Sequence, residues 1–480
     1  MPTSPLSTAA TPARPSAGAD DPARLSALEL VEGYRARRLS PVEATQAVID
    51  RVRRLDPKVN AFAVFDPETA LEAARQSEQR WRRGTPLGAL DGVPVTLKDL
   101  ILAKGWPTLR GSRAVDPAQA WDEDAPAAAR LREDGAVLLG KTTTSEFGWK
   151  GLGDSPLTGI TRNPWNTAHT PGGSSGGAAA AAAFDFGPLH VATDGGGSTR
   201  LPAAHSGVFG FKPSFGRVPV YPPSQNGTLY HVTPLTRSVR DAAVLLNVIA
   251  RPDARDWHAL PPSATALDDG LEQGVKGLRI AFSPALGYAQ VDPQVERLVA
   301  DGARVFADLG ATVELVDPGI DDPFPIFDTL WAAGAAKLLA SFAPERRGLV
   351  EAGLQEVAAR GQAIDVVAYL RAVDAREALG RHFNQFHQTW DLLITPTTAH
   401  PASAIDATQA DLVRRPIRSP FTYPFNLTQQ PAASVPVGLT PEGLPVGLQI
   451  VGARFADATV LRAARAFEIA RPFASPGEPR

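Results

Sequence analysis

Residues 170–183 read TPGGSSGGAAAAAA. Four glycines surround the serines Ser174 and Ser175, and six alanines follow. The alanines predict a helix. The glycines ahead of it predict a loop whose bare backbone N–H groups can approach a ligand at the helix N-terminus. Gly172 to Gly176 also fits the G-x-S-x-G pattern of a nucleophile elbow, which needs a strand running into a helix. The preceding TRNPWNTAHTP is polar and turn-rich, so Ser174 does not sit on such an elbow. It is left as a helper serine or a turn residue.

Working outward, strand-like and helix-like segments alternate. Val93–Leu97, Ala136–Leu139, Leu189–Thr193, Leu278–Phe282, Thr312–Val316, Leu392–Thr395 and Ala433–Val437 are compact apolar runs. Helical spacing covers 23–55, with a break at Ser40-Pro41, and also 124–133, 292–310 and most of 322–390. This alternation predicts an α/β fold with a large central, mixed but mostly parallel sheet, covered by helices on both faces. Residues 250–275, rich in proline and aspartate, predict a surface loop. Residues 1–22 are expected to be a disordered leader without a secretory signal, and 23–480 a single domain.

Composition narrows the function. The 480 residues include no cysteine, which excludes thiolate nucleophiles and thiolate metal sites. A net charge of −3 gives no electrostatic footprint for nucleic acid. No uncharged apolar run reaches membrane-spanning length. The expectation is a cytoplasmic enzyme with no nucleic-acid or membrane partner.

Two motifs mislead. Gly135-Ala136-Val137-Leu138-Leu139-Gly140-Lys141-Thr142 matches the phosphate-loop letters, but its apolar interior predicts a buried strand, with Lys141 at a strand end or on the surface. His205 lies nearest the glycine loops, yet nothing pairs it with a serine and an acid, so it is read as a packed histidine. No metal site is predicted: HExxH is absent, and His382 and His387 are poorly spaced for one helix face.

Three pieces then stand together. GVPVTLKD (92–99) ends an apolar strand on Lys98, which is either a solvated lysine or a buried, neutral base. GGSSGG opens the alanine helix. TDGGGSTRLPA (193–203) follows a buried strand, and the N–H groups of Gly195, Gly196, Gly197 and Ser198 could surround an oxyanion or bind a phosphate or carboxylate. Lys98 and Ser198 both fall at carboxyl ends of strands, where open α/β sheets bind ligands.

With GAVLLGKTTTSEFGWKG, TGITRNPWNTAHTPGGSSGGAAAAAA, TDGGGSTRLPAAHSGVFGFKPSFGRVP and FNLTQQPAASVPVGLTPEGLPVGLQIVG in order over about residues 25–470, the chain resembles the amidase signature family. The resemblance implies the amidase signature fold and an amide hydrolase without metal or cofactor. Ser198 is then the nucleophile, Ser174 the bridging serine at a cis peptide bond, and Lys98 the base. Gly195–Ser198 form the oxyanion hole. A small-molecule amide is the implied substrate, with Phe147, Trp149, Gly172, Gly173 and Trp331 as candidate contacts and 320–390 as a variable helical pocket segment. The alternative within the family is the glutamine-hydrolysing component of a tRNA-dependent amidotransferase. EFGWKGLGDSPLTG favours the stand-alone amidases, and the resemblance also implies a homodimer, frequent in the family. Two positions depart from the family pattern: Gly195, where threonine is common, and Gln429, where glycine is usual. Arg200 is expected to pair with Asp194 or another acid.

Overall fold

The computed structural model describes residues 21–406 and 419–477; residues 1–20 of the expected leader lie outside that range. The strands are β1 (Phe62–Phe65), β2 (Pro94–Lys98), β3 (Val137–Thr142), β4 (Asp154–Ser155), β5 (Gly159–Ile160), β6 (Leu189–Asp194) and β7 (Phe209–Lys212). They continue as β8 (His231–Thr236), β9 (Arg279–Phe282), β10 (Thr312–Leu315), β11 (Leu392–Pro396), β12 (Ala432–Leu439) and β13 (Pro445–Gly452). Eleven form one sheet in the order β1-β3-β2-β6-β8-β7-β12-β13-β11-β9-β10, while β4 and β5 pair separately.

The sheet is mixed, as expected, but parallel pairing does not predominate. Four contacts are parallel, β3–β2, β2–β6, β11–β9 and β9–β10. The other six are antiparallel. The excess comes from β1, β7, β8 and β13, the last three of which give weak strand signals. HVTPLT carries a proline, which ordinarily demotes a strand, and FGFK and PVGLQIVG carry interior glycines. Two of these glycines allow close packing: a Cβ on Gly210 would lie 2.7 Å from the Ala203 Cβ, and one on Gly447 2.5 Å from the Ala204 Cβ.

Both faces are covered. Val435, Leu448 and Ile450 share one apolar cluster with Val299 of helix Pro293–Asp308 and Phe467 of helix Asp457–Ala470. The opposite face carries helix Gly176–Ala183 and helix Arg200–Ser206. Helix Gly176–Ala183 is buried along its whole length, which its Gly/Ala sequence permits on every side. A Cβ at Gly177 would sit 2.4 Å from Thr143 Oγ1 and 2.5 Å from the Ala61 carbonyl oxygen. The segment from 324 to 386 is helical, with helices Phe324–Ala340, Ala352–Gln362 and Val366–Phe386.

Gln429 has φ 64°, in the left-handed region that favours glycine. Its carbonyl accepts the Phe215 N–H at 3.2 Å. The departure at this position therefore acts on the backbone. Gln429→Gly should remove a left-handed cost of about 1 kcal/mol, offset in part by glycine's larger unfolded-state entropy. The expected result is a small rise in the denaturation midpoint; a lower midpoint would show that the side chain contributes more than the backbone costs.

Candidate active site

Lys98 is the last residue of β2, and its side chain is completely buried. Its Nζ lies 2.7 Å from Ser174 Oγ, 2.8 Å from Ser175 Oγ and 2.9 Å from Thr193 Oγ1. Burial drives its pKa well below that of a free lysine, and the Asp194 charge only partly opposes the shift. The peptide bond Gly173–Ser174 is cis. Gly173 packs directly on the backbone of Leu152, where a Cβ would lie 2.0 Å from the carbonyl oxygen. Gly172 packs on Leu201 in the same way. These two glycines thus set how closely the serine loop approaches its neighbours.

Ser198 stands four residues beyond β6 and keeps a small solvent-facing surface, 9% of its reference area. Its carbonyl accepts the Ser175 N–H at 3.1 Å, which joins the two glycine-rich loops. The Gly197 N–H, expected to face an oxyanion, instead donates to Asp194 Oδ1 at 2.7 Å. A carboxylate that ends a strand captures the N–H three residues on, so this donor is already committed. Among the described residues the N–H groups of Gly195, Gly196 and Ser198 have no acceptor.

Asp194 does more than hold Gly197. Its Oδ2 also accepts the Thr199 N–H at 3.2 Å. Arg200 grips both carboxylate oxygens, with Nε and Nη2 each at 2.9 Å. The remaining guanidinium donors reach the Thr422 carbonyl at 3.0 Å, Gln449 Oε1 at 2.8 Å and Asn426 Oδ1 at 2.6 Å. Both charges are fully buried. Burial by itself would raise the Asp194 pKa. The charge and hydrogen bonds of Arg200, with Lys212 and Asn426, outweigh it and hold the carboxyl below the usual range. The ion pair expected for Arg200 is therefore present, and it clamps the Ser198 loop to β13 and to the segment around Asn426.

The other candidates separate clearly. A Cβ on Gly195 would lie 3.2 Å from the Trp331 ring, and one on Gly196 2.7 Å from Phe327. Trp331 thus fills the space that a threonine at 195 would need, and Phe327 and Trp331 stack at 5.2 Å. Phe147 lines two neighbouring clefts. Trp149 turns elsewhere: its indole N–H donates to Glu351 at 2.8 Å and its ring packs on Gly353. Lys141 is completely buried rather than on the surface, 3.0 Å from Asp99. Burial lowers its pKa to about 8, against the pull of Asp99. His205 is packed, its Nε2 3.3 Å from the His400 carbonyl, and burial lowers its pKa to about 4.

Sequence reasoning missed Ser175 and Thr193 as partners of Lys98, and Asn426, Thr422 and Gln449 as partners of Arg200. The doubled serine in GGSSGG was the only local hint. The last three residues lie more than two hundred positions from Arg200 and carry no local signal.

The chain is similar to known proteins along most of its length. The amidase family model matches residues 43–461. An acylamidase of Rhodococcus erythropolis is 36% identical over 460 residues, covering 94% of this chain and 96% of that protein. A glutamyl-tRNA(Gln) amidotransferase subunit of Myxococcus xanthus is also 36% identical, covering 92% and 96%. A bacterial aryl acylamidase structure from the amidase signature enzymes superposes with a TM-score of 0.86 at 34% identity, over 93% of this chain and 96% of that one.

Replacing Asp194 by Asn should leave the Arg200 charge buried without its counter-ion, at a cost of about 3–5 kcal/mol. Urea denaturation of Asp194→Asn reads this directly. A loss below about 1 kcal/mol would show that Asn426 and Gln449 suffice to hold the guanidinium.

Proposed function

Because the chain belongs to the amidase signature family and is a hydrolase of amide C–N bonds, we propose that it acts through an acyl-enzyme on Ser198, with Ser174 and Lys98 carrying the proton. The observation that carries this reading is the hydrogen-bond arrangement around Lys98. Ser175 Oγ is 3.1 Å from the Thr193 carbonyl and donates its proton there. The Thr193 hydroxyl also faces the Tyr230 phenol. Ser175 therefore accepts from Lys98, and in this reading Thr193 Oγ1 does so too, at 2.9 Å. A neutral amine has two N–H donors and one lone pair. The two donors are used on Ser175 and Thr193, and the lone pair is left for the Ser174 hydroxyl proton.

The steps follow from that polarity. Ser198 Oγ attacks the amide carbonyl carbon. Its proton moves to Ser174 Oγ as the Ser174 proton moves to Lys98 Nζ. The carbonyl oxygen gains a negative charge, which the N–H groups of Gly195, Gly196 and Ser198 receive. Each such donor contributes about 3 kcal/mol to the transition state. The relay then reverses, protonating the leaving nitrogen as the C–N bond breaks. Water attacks the resulting ester by the same route and releases the acid. Trp331 and Phe147 bound the substrate space in this reading. The enzyme is further read as cytoplasmic and homodimeric; among the described residues no helix is long and apolar enough to cross a membrane.

A second reading, a glutamine-hydrolysing amidotransferase component, is favoured by the identity to proteins of that class. A panel of propionamide, benzamide, an acyl nitroanilide and glutamine separates the two, with Ser198→Ala as control. The expected result is turnover of simple amides or the anilide, with a loss of about 10⁴-fold or more in the control. Ammonia from glutamine alone supports the amidotransferase reading, and full activity in Ser198→Ala removes the nucleophile assignment.

The pH dependence has a definite sign. Lys98 must be neutral to accept a proton, and its pKa is lowered by burial. Activity is therefore complete above that lowered value and falls about tenfold per pH unit below it. The check is kcat/KM from pH 5 to 9 with chemistry limiting; a flat profile contradicts Lys98 as the base.

A further inference from the structure

Arg110 stands apart from the chain's other buried basic residues. Lys98, Lys141, Lys212 and Arg200 each have hydrogen-bond or charge partners within the protein. The half-buried Arg110 guanidinium has neither a hydrogen bond nor an ion pair among the described residues. Its backbone is held in place: φ is 57°, the carbonyl accepts the Phe147 N–H at 2.8 Å, and Gly111 follows at φ 65°. A non-glycine residue held in this region is a recurrent feature of ligand-binding turns.

The surroundings point toward a ligand. Arg110 lines a cleft of about 50 Å³ together with Leu100, Phe147, Tyr221, Gln225 and Tyr230. Arg110 is the one charged residue among the described residues of that lining, and no acid faces the cleft. Asp99, outside the lining, is the carboxylate whose charge acts on Arg110, and it is paired with Lys141. Asp122 and Glu123 line a different cleft on the other side of Arg110, and Glu123 is 3.5 Å from Arg255. With about 10–15 Å³ needed per water-sized group, the volume suits a head group of three or four heavy atoms. Burial penalises the Arg110 charge, so an anion entering the cleft gains what the fold leaves unsupplied.

The cleft also adjoins the relay. Tyr230 in its wall faces Thr193, the partner of Lys98. Gly148, next to Phe147, has its Cβ position 3.1 Å from Ser174 Oγ. Asn226, next to Gln225, lies 3.8 Å from the Cβ position of Gly195.

We propose that Arg110 is a substrate anchor that binds a carboxylate remote from the scissile amide, so that the enzyme prefers amides bearing a terminal carboxylate. The guanidinium fork meets the carboxylate through two N–H donors, and the apolar wall of Leu100 and Phe147 holds the intervening methylenes. This rests on the Ser198 reading above and adds the substrate class.

The test compares succinamic, glutaramic and adipamic acids with butanamide, pentanamide and hexanamide, reading ammonia release as kcat/KM. In the wild type at least one acid should exceed its methyl-terminated counterpart by about tenfold or more. Arg110→Gln should bring that ratio to about one, and Arg110→Lys should keep part of it, since the charge remains without the fork. Thermal melts of both variants establish that they fold. If Arg110→Gln fails to fold, the wild-type and Arg110→Lys ratios decide. A wild-type ratio near or below one overturns the proposal, as does an unchanged ratio in Arg110→Gln. Activity surviving in Ser198→Ala would instead strike the nucleophile assignment, a separate outcome read from a separate variant.

Discussion

The buried pair of Asp194 and Arg200 is the constraint on which the catalytic end of the sheet depends. Asp194 closes β6, and its two oxygens take the N–H groups of Gly197 and Thr199 as well as the guanidinium. This folds the Ser198 loop back on its own strand. Arg200 carries the constraint across the sheet to Thr422, Asn426 and Gln449. Two charges removed from water are worth little unless every donor and acceptor finds a partner. Here the guanidinium is gripped by four residues, so the arrangement is rigid as well as paired.

That pairing also governs the lysine. A free carboxylate close to Lys98 would favour its protonated form. Because the Asp194 charge is engaged by Arg200, with Lys212 adding to the same field, desolvation prevails at Lys98. The hydroxyls of Ser174, Ser175 and Thr193 then satisfy the amine without adding charge. One strand end therefore carries a carboxyl held below its usual pKa range, and the adjacent strand end an amine whose pKa burial lowers. The difference comes from which neighbours are charged.

Much of the site was legible locally. Lys98 closes an apolar strand, and Ser174 and Ser198 lie in glycine-rich loops whose purpose is hard to explain by packing alone. The parallel trio β3-β2-β6 shows as short apolar runs, and the structure places Lys98 and the Ser198 loop at its carboxyl end. The antiparallel centre of the sheet did not show, because Pro234 in β8 and the glycines in β7 and β13 break the usual strand pattern. Arg110 carries no local signal in the sequence, since the absence of a partner is visible only when the surrounding side chains are placed.

The sequence by itself determined the residue types and their local settings: the lysine at a strand end, the bare loops, the alanine helix that can be buried on every side. These follow from short-range sterics and hydropathy, which neighbouring residues decide among themselves. Tertiary structure alone decided which donors are free, which charges are paired, and which amine is buried deeply enough to have its pKa lowered. Gly197 is spent on Asp194 while Gly195 and Gly196 are not, and Trp331 rather than a side chain at 195 fills the space beside the loop. Hydrogen bonds and desolvation depend on groups brought together from more than two hundred residues apart, and no local pattern in the chain encodes that proximity.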